Sequence, residues 1–153
     1  MLGQVLTAIV TPFKRDGAVD LDSFRALARH LVDNGSDGLV VTGTTGESPT
    51  LSDDERFELY AAALDEVGDR ATVVAGTGTY STAHTVHLTE RAHELGAHAF
   101  LIVTPYYNKP PPQWWLTSLC STGVNRRDDP SVPAAGCQAS DCGCRIEACS
   151  ARC

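Results

Sequence analysis

Residues 43–48, with the sequence Gly-Thr-Thr-Gly-Glu-Ser, combine residue types that can hold a small anion. The glycines let backbone N–H groups approach a ligand closely, and the hydroxyls add donors for a carboxylate. The segment follows an apolar run at 38–42 and precedes a helix start at Ser52, which places it on a strand-to-helix loop. The same pattern fits a tight turn in which the threonines cap the backbone, so the local sequence leaves both interpretations open.

Strands and helices are predicted to alternate on both sides of this loop. Short apolar runs predict strands over 5–10, 38–42, 71–75 and 99–103. Amphipathic patterns predict helices over 22–32, 52–68 and 82–95. The second helix begins with the capping-box sequence Ser-Asp-Asp-Glu. This βαβαβαβ order, with a repeat of about 30 residues, predicts an α/β fold with a parallel sheet. It fits either half of an eightfold barrel or a small doubly wound sheet.

Segments rich in hydroxyls and glycines follow every predicted strand. They contain Thr11, Thr44 with Thr45, Thr77, and residues 104–108. Because the carboxyl ends of parallel strands meet at one edge of a sheet, these segments are expected to share one face. In both candidate folds that face is where ligands bind.

The composition is that of an ordinary soluble globular protein, with 42% hydrophobic and 20% charged residues. The formal net charge is −7 and no basic stripe is present in the sequence, which argues against nucleic acid as a partner. No apolar run approaches the roughly 20 residues of a membrane-spanning helix, and residues 1–4 lack the basic start of a secretory signal. We therefore expect a cytoplasmic protein without a membrane partner.

Cysteine usage divides the chain into two parts. All six cysteines lie at or beyond Cys120, where Ser, Arg, Ala, Gly and Pro also dominate without helical or strand period. We predict a folded part at 1–113 and an irregular, disordered, cysteine-rich tail at 114–153. A shifted reading frame of a GC-rich gene tends to produce this composition.

A metal-binding tail is the alternative interpretation of these cysteines. Four of them, Cys137, Cys142, Cys144 and Cys149, could supply thiolates, but no Cys-x2-Cys pair occurs. His84 and His87 lack a third ligand at suitable spacing and fit solvated helix residues better. We therefore expect no metal and no cofactor.

Four motifs together resemble the dihydrodipicolinate synthase (4-hydroxy-tetrahydrodipicolinate synthase) family. They are Thr-Pro-Phe at 11–13, the segment at 43–48, Gly-Thr-Gly at 76–78, and Thr-Pro-Tyr-Tyr-Asn-Lys-Pro at 104–110. The match spans about residues 3–113. The resemblance implies the N-terminal half of a (β/α)8 barrel from a homo-oligomeric enzyme. That enzyme joins pyruvate to L-aspartate 4-semialdehyde through a lysine Schiff base, in lysine and diaminopimelate biosynthesis.

The resemblance also assigns roles to individual hydroxyls. Thr45 would bind the pyruvate carboxylate, and Thr44 would pass a proton along a hydroxyl relay. Tyr107 would belong to the same relay and, in the family, reaches into the site of a neighbouring subunit. A hydroxyl suits each role because it can donate and accept at once.

The residues that bind lysine in feedback-inhibited members of the family are only partly present in this sequence. Ser48 and Tyr106 correspond to positions that bind lysine in feedback-inhibited members of the family. Tyr80 and His84 stand where an asparagine and a glutamate would be expected. These departures argue against feedback inhibition by lysine.

The resemblance stops before the family's Schiff-base lysine. This chain contains only Lys14, in a turn, and Lys109, beside three prolines. Neither lies at a strand position that would bury its amine and lower its pKa for imine formation. We therefore predict that this chain is inactive alone.

Two other functions stay open at this stage. One is a non-catalytic barrel fragment that binds a small carboxylate or pairs with an intact homologue and lends it Tyr107. The other is a metal-binding tail on a scaffold. Because half of a parallel barrel leaves sheet edges unpaired, the chain is also expected to aggregate or form oligomers.

Overall fold

A computed structural model describes residues 3–107 of the chain. The elements alternate as the sequence predicts. They are β1 (Leu6–Ala8), α1 (Leu21–Asp33), β2 (Gly38–Val41), α2 (Asp53–Val67), β3 (Thr72–Gly76), α3 (Thr82–Glu94) and β4 (Ala99–Leu101), with a short 3-10 turn at Ser48–Thr50. Lys109, the six cysteines and the predicted boundary at 113 lie outside the described residues.

The four strands form one parallel sheet in the order β1-β2-β3-β4. Each strand therefore lies beside the strand that precedes it in the chain. A doubly wound sheet reverses its strand order at a switch point, whereas a barrel adds strands in sequence. The βα repeat by itself fits both architectures. The sequential order favours the barrel type and agrees with the half-barrel that the family resemblance implied.

The helices begin within one residue of the predicted positions, and α2 begins with the predicted capping box. In α2 the Ser52 hydroxyl accepts from the Glu55 backbone N–H at 3.3 Å, and the Glu55 carboxylate accepts from the Ser52 N–H at 2.8 Å. Asp20 and Ser81 cap α1 and α3 in the same way, each accepting from the backbone N–H three residues on. These caps satisfy N–H groups that a helix cannot pair internally.

Strands β1, β2 and β4 are shorter than predicted. The first pairing continues one residue past Ala8, since the Ile9 N–H bonds the Val40 carbonyl at 3.1 Å. At the end of β4, the N–H groups of Thr77 and Gly78 both bond the Leu101 carbonyl. The regular pairing with the chain that follows β3 stops there. β2 ends at Val41.

The core lies between the three helices and one face of the sheet. Strand residues Leu39, Val41, Val73 and Ala75 are completely buried on that face. They pack with helix residues such as Phe24, Ala28, Leu59, Ala63 and Ala92. No helix within residues 3–107 is both long and apolar enough to cross a bilayer.

Candidate ligand-binding site

The loop that follows β2 begins with a strained residue, Thr42. Its φ is +52°, in the left-handed region that β-branched residues rarely adopt. Such strain persists only where surrounding contacts hold it, and it is common at functional sites. The apolar run at 38–42 predicts that Thr42 lies in the strand, but this is wrong, because β2 ends at Val41 and the chain turns out of the sheet at Thr42.

A buried cluster of three oxygens holds Thr42 in place. The Thr42 Oγ1 lies 2.8 Å from the Tyr60 hydroxyl and 3.0 Å from the Gly76 carbonyl oxygen, and the Tyr60 hydroxyl lies 2.8 Å from the same carbonyl. Two hydroxyl protons serve three contacts, so two of the bonds form at a time. Burial raises the pKa of Tyr60, which keeps its hydroxyl protonated.

The rest of the loop is fixed from two sides. The buried Thr11 hydroxyl donates to the Gly46 carbonyl at 2.7 Å, which ties the loop after β1 to the loop after β2. Arg56 Nη2 donates to the Ser48 carbonyl at 2.5 Å. Backbone bonds close the turn itself: the Gly46 and Ser48 N–H groups both bond the Gly43 carbonyl. The loop is therefore positioned largely through its backbone.

Thr44, Thr45 and Glu47 are the exposed residues of the loop at 43–48, whereas Gly43, Gly46 and Ser48 are buried. The Thr44 and Thr45 hydroxyls make no hydrogen bond to any other group in the described part of the chain. The turn is thus closed by backbone groups, and the threonine side chains do not cap it. The structure therefore does not support the interpretation in which the threonines cap the turn. Both hydroxyls remain available to a ligand.

Close backbone contacts join the neighbouring loops at the carboxyl end of the sheet. A Cβ added at Gly76 would lie 2.3 Å from the Thr42 carbonyl oxygen, and one at Gly78 would lie 2.2 Å from the Val103 nitrogen. Only glycine permits such approaches without displacing backbone. The loops after β1 to β4 therefore meet at one edge, as the sequence analysis expected.

The hydroxyls predicted on this face do not all point to a ligand. Thr11 is 5% exposed and Thr77 is completely buried. Thr77 bonds Thr89 of α3 at 2.8 Å, so its hydroxyl fastens a helix to the sheet. Thr11 and Thr77 are therefore structural, and Thr44 with Thr45 form the exposed donor pair.

Tyr107, the third predicted relay residue, is 88% exposed. Within residues 3–107 no hydrogen bond joins it to Thr44 or Thr45, so its role stays a prediction. The neighbouring Tyr106 packs edge-on against Tyr80, with ring centroids 6.2 Å apart.

The positions considered for feedback are engaged in other contacts. Ser48 is buried, and His84 Nε2 lies 2.9 Å from both carboxylate oxygens of Asp53. His84, predicted to be a solvated helix residue, is instead half-buried and paired with Asp53. The described residues contain no group of three metal-ligating side chains.

The sequence patterns did not indicate that Arg56 helps to hold the loop after β2. Its side chain is 4% exposed, and its Nε and Nη1 have no hydrogen-bond partner within the described residues. Arg56 and Tyr60 lie one helical turn apart on the face of α2 that packs against the loop. A polar pair at i and i+4 within an apolar helix face is the signal that could have identified them.

Comparison with known proteins identifies the family. The model of the dihydrodipicolinate synthetase family matches residues 1–116. The chain belongs to the dihydrodipicolinate synthetase family. This confirms the resemblance drawn from the four motifs.

Curated relatives in this family are similar over the same part of the chain. The 4-hydroxy-tetrahydrodipicolinate synthase of Acidothermus cellulolyticus is 64% identical over 109 residues, covering 71% of this chain and 35% of the relative. Synthase 2 of Streptomyces coelicolor is 61% identical over 109 residues, covering 71% of this chain and 36% of the relative. This chain thus spans about a third of the length of the curated relatives it matches.

Solved dihydrodipicolinate synthases share the fold. The enzyme of Bacillus anthracis aligns with a TM-score of 0.78 at 40% identity, covering 80% of this chain and 43% of that chain. The Thermotoga maritima enzyme aligns with a TM-score of 0.74 at 46% identity, covering 78% and 40% respectively. The four-stranded sheet is therefore equivalent to part of the barrel of these synthases.

Proposed function

We propose that this chain carries the pyruvate-carboxylate site of a 4-hydroxy-tetrahydrodipicolinate synthase. This enzyme condenses pyruvate with L-aspartate 4-semialdehyde in the cytoplasm. The observation that supports the proposal best is the pair of exposed hydroxyls, Thr44 and Thr45, on a loop otherwise held by buried bonds. Preorganised donors of this kind bind an anion without a further ordering cost.

Each hydroxyl has a distinct proposed task. The Thr45 hydroxyl donates to the pyruvate carboxylate and orients the substrate. Thr44 and Tyr107 pass a proton between the reacting centre and solvent, since each hydroxyl accepts one proton while donating another. The reaction itself needs a lysine amine, which condenses with the pyruvate ketone and lets the methyl group lose a proton to form an enamine nucleophile.

We further propose that this chain does not form that Schiff base by itself. Lys14 is exposed in the turn after β1, and its backbone N–H bonds the Ala18 carbonyl at 2.8 Å. An amine that stays exposed to water lacks the apolar surroundings that activate a Schiff-base lysine. Lys109 lies outside the described residues. The chain is therefore proposed to bind pyruvate and to be catalytically incomplete alone.

Pyruvate binding to the 153-residue chain tests the carboxylate site. Saturation-transfer NMR should detect binding to the unaltered chain, and Thr45→Val should weaken it by roughly 10-fold or more, because a hydrogen bond to a charged group is lost. Thr72→Val is the matched control, since Thr72 opens β3 at the opposite end of the sheet. Equal binding by the Thr45→Val variant and the unaltered chain would refute the assignment.

Borohydride reduction in the presence of pyruvate tests the proposal that this chain does not form the Schiff base by itself. We expect no covalent adduct by mass spectrometry. A stable adduct that disappears in Lys14→Arg or Lys109→Arg would show that this chain carries its own nucleophile.

Pairing with an intact homologue is a second candidate, favoured by the 88% exposure of Tyr107. In that arrangement Tyr107 completes the relay of a full-length synthase. Co-expression should then restore activity to a synthase variant that lacks the equivalent tyrosine, and Tyr107→Phe in this chain should abolish the rescue. Absence of both co-purification and rescue would exclude this candidate.

A further inference from the structure

Arg56 is a buried cation with no carboxylate partner among the described residues. Its side chain is 4% exposed, and its Nη2 group donates to the Ser48 carbonyl, while the buried Nε and Nη1 groups have no hydrogen-bond partner there. None of the ion pairs within residues 3–107 includes Arg56. A buried charge is costly unless an opposite charge lies near it. An anion bound close to Arg56 would offset that cost.

This charge lies beside the loop that carries Thr44 and Thr45. Ser48, which the guanidinium contacts, follows Thr45 by three residues, and three residues span at most about 11 Å. The loop is also folded back on itself, because the N–H groups of Gly46 and Ser48 bond the Gly43 carbonyl at 3.1 and 3.3 Å. The guanidinium therefore lies on the order of 10 Å from an anion held by these threonines.

The carboxylates of the same region are closer to water. Glu47 and Asp54 are exposed, and Asp53 and Glu55 are half-buried. The latter two each bond another side chain already. Water and salt screen exposed charges strongly and buried charges much less. The Arg56 charge therefore acts on a bound anion with less screening than these carboxylates do.

The neighbouring Tyr60 hydroxyl responds to this charge. Burial raises the pKa of Tyr60, whereas the hydrogen bond with Thr42 and the positive charge of Arg56 oppose this rise. The charge thus favours the anionic form of a group that lies one helical turn away on α2. It favours a bound carboxylate for the same reason.

We propose that Arg56 is a specificity-determining residue that makes the site prefer carboxylates to neutral carbonyl compounds. This inference rests on the proposed binding of pyruvate at Thr45. The Thr45 hydroxyl contacts the carboxylate directly, and the Arg56 charge acts on it from the buried side of the loop. At about 10 Å and an effective dielectric constant of about 20, one charge changes the affinity for a monoanion by roughly tenfold.

Binding of pyruvate and of its neutral analogue pyruvamide to the 153-residue chain tests this role. Chemical-shift titration of the 15N-labelled chain gives both dissociation constants, and their ratio measures the preference for the anion. Arg56→Gln should lower this preference roughly tenfold, and Arg56→Lys, which keeps the charge, should retain it within about twofold. Arg29→Gln is the matched control, because it removes the same charge from an exposed position on α1 that pairs with Glu66 at 2.6 Å.

The ratio separates a role of the charge from a role in holding the loop. Loss of the Ser48 contact alone weakens the binding of both ligands equally. An unchanged preference in Arg56→Gln would therefore overturn the proposal, even if both ligands bind more weakly. Absence of pyruvate binding to the unaltered chain would overturn the proposed function at Thr45, and this inference with it.

A second measurement does not depend on the folding of any variant. The two affinities of the unaltered chain are compared at low salt and at about 1 M salt, where the Debye length is about 3 Å. Competition by the salt anion affects both ligands, so it leaves their ratio unchanged. The preference for pyruvate should fall by less than about threefold, because a buried charge is screened little. Loss of the preference at high salt would show that exposed cations supply it, and would overturn the role of Arg56.

Discussion

The cluster of Thr42, Tyr60 and Gly76 predicts a specific failure of additivity. Both hydroxyls reach the same buried carbonyl, so either of them alone can satisfy it. In Tyr60→Phe the Thr42 hydroxyl still donates to the Gly76 carbonyl. In Thr42→Val the Tyr60 hydroxyl does so, and valine keeps the branched shape at the strained position.

Each single variant should therefore lose one hydrogen bond, at a cost of about 1 kcal/mol in the free energy of unfolding. The double variant loses two bonds and also leaves a buried carbonyl without these donors. An unsatisfied buried group adds about 1–3 kcal/mol. We expect the double variant to lose about 3–5 kcal/mol, which exceeds the sum of the single variants.

Urea unfolding followed by circular dichroism measures this difference. All variants are compared at one protein concentration, because association changes the apparent stability. Tyr80→Phe is the control, since Tyr80 is 56% exposed, and it should change the free energy by less than about 0.5 kcal/mol. A double variant equal to the sum of the singles would show that the carbonyl finds another donor, which would refute the reasoning.

Three further variants test other contacts of the loops and helices. Gly76→Ala should cost more than about 2 kcal/mol in urea unfolding, because its Cβ would overlap the Thr42 carbonyl. Gly43→Ala is the comparison, because its Cβ would lie in ordinary contact, 3.4 Å from Val40 Cγ1 and 3.8 Å from Leu101 Cδ2. Thr11→Val should cost about 1–3 kcal/mol, since it leaves the Gly46 carbonyl unpaired, and pyruvate binding should weaken with it. Hydrogen bonds from Ser52 lower the pKa of Glu55, so its stabilisation is present above the ordinary glutamate pKa and is lost as pH falls through the lowered value. Glu55→Gln should therefore lower the melting temperature at neutral pH and reduce its further fall toward about pH 3; an unchanged acid profile would contradict this.

Local patterns predicted the elements because local physics controls them. The capping sequence at Ser52 and the apolar spacing of α1 determine where helices begin and which face is buried. The four motifs after the strands also identified the family before any tertiary contact was known. The proposed roles of Thr44, Thr45 and Tyr107 rest on that resemblance and stay predictions.

Other properties depend on contacts between residues distant in the chain. Nothing near Thr42 in the sequence shows that it turns out of the sheet, since Tyr60 and Gly76 hold it there from 18 and 34 residues away. Thr11 and Thr77 carry the same hydroxyl as Thr45, yet packing against neighbouring loops and α3 buries them.

The sequence by itself determined the βα repeat, the helix boundaries and the family, because periodicity, capping and motif spacing are properties of short segments. Only the tertiary structure showed the strand order, which agrees with the barrel that the family resemblance implied. The tertiary structure also decided which hydroxyls of the polar loops remain exposed. The strand order and the exposure of each hydroxyl depend on which segments pack together. That packing involves the whole described sheet and its three helices.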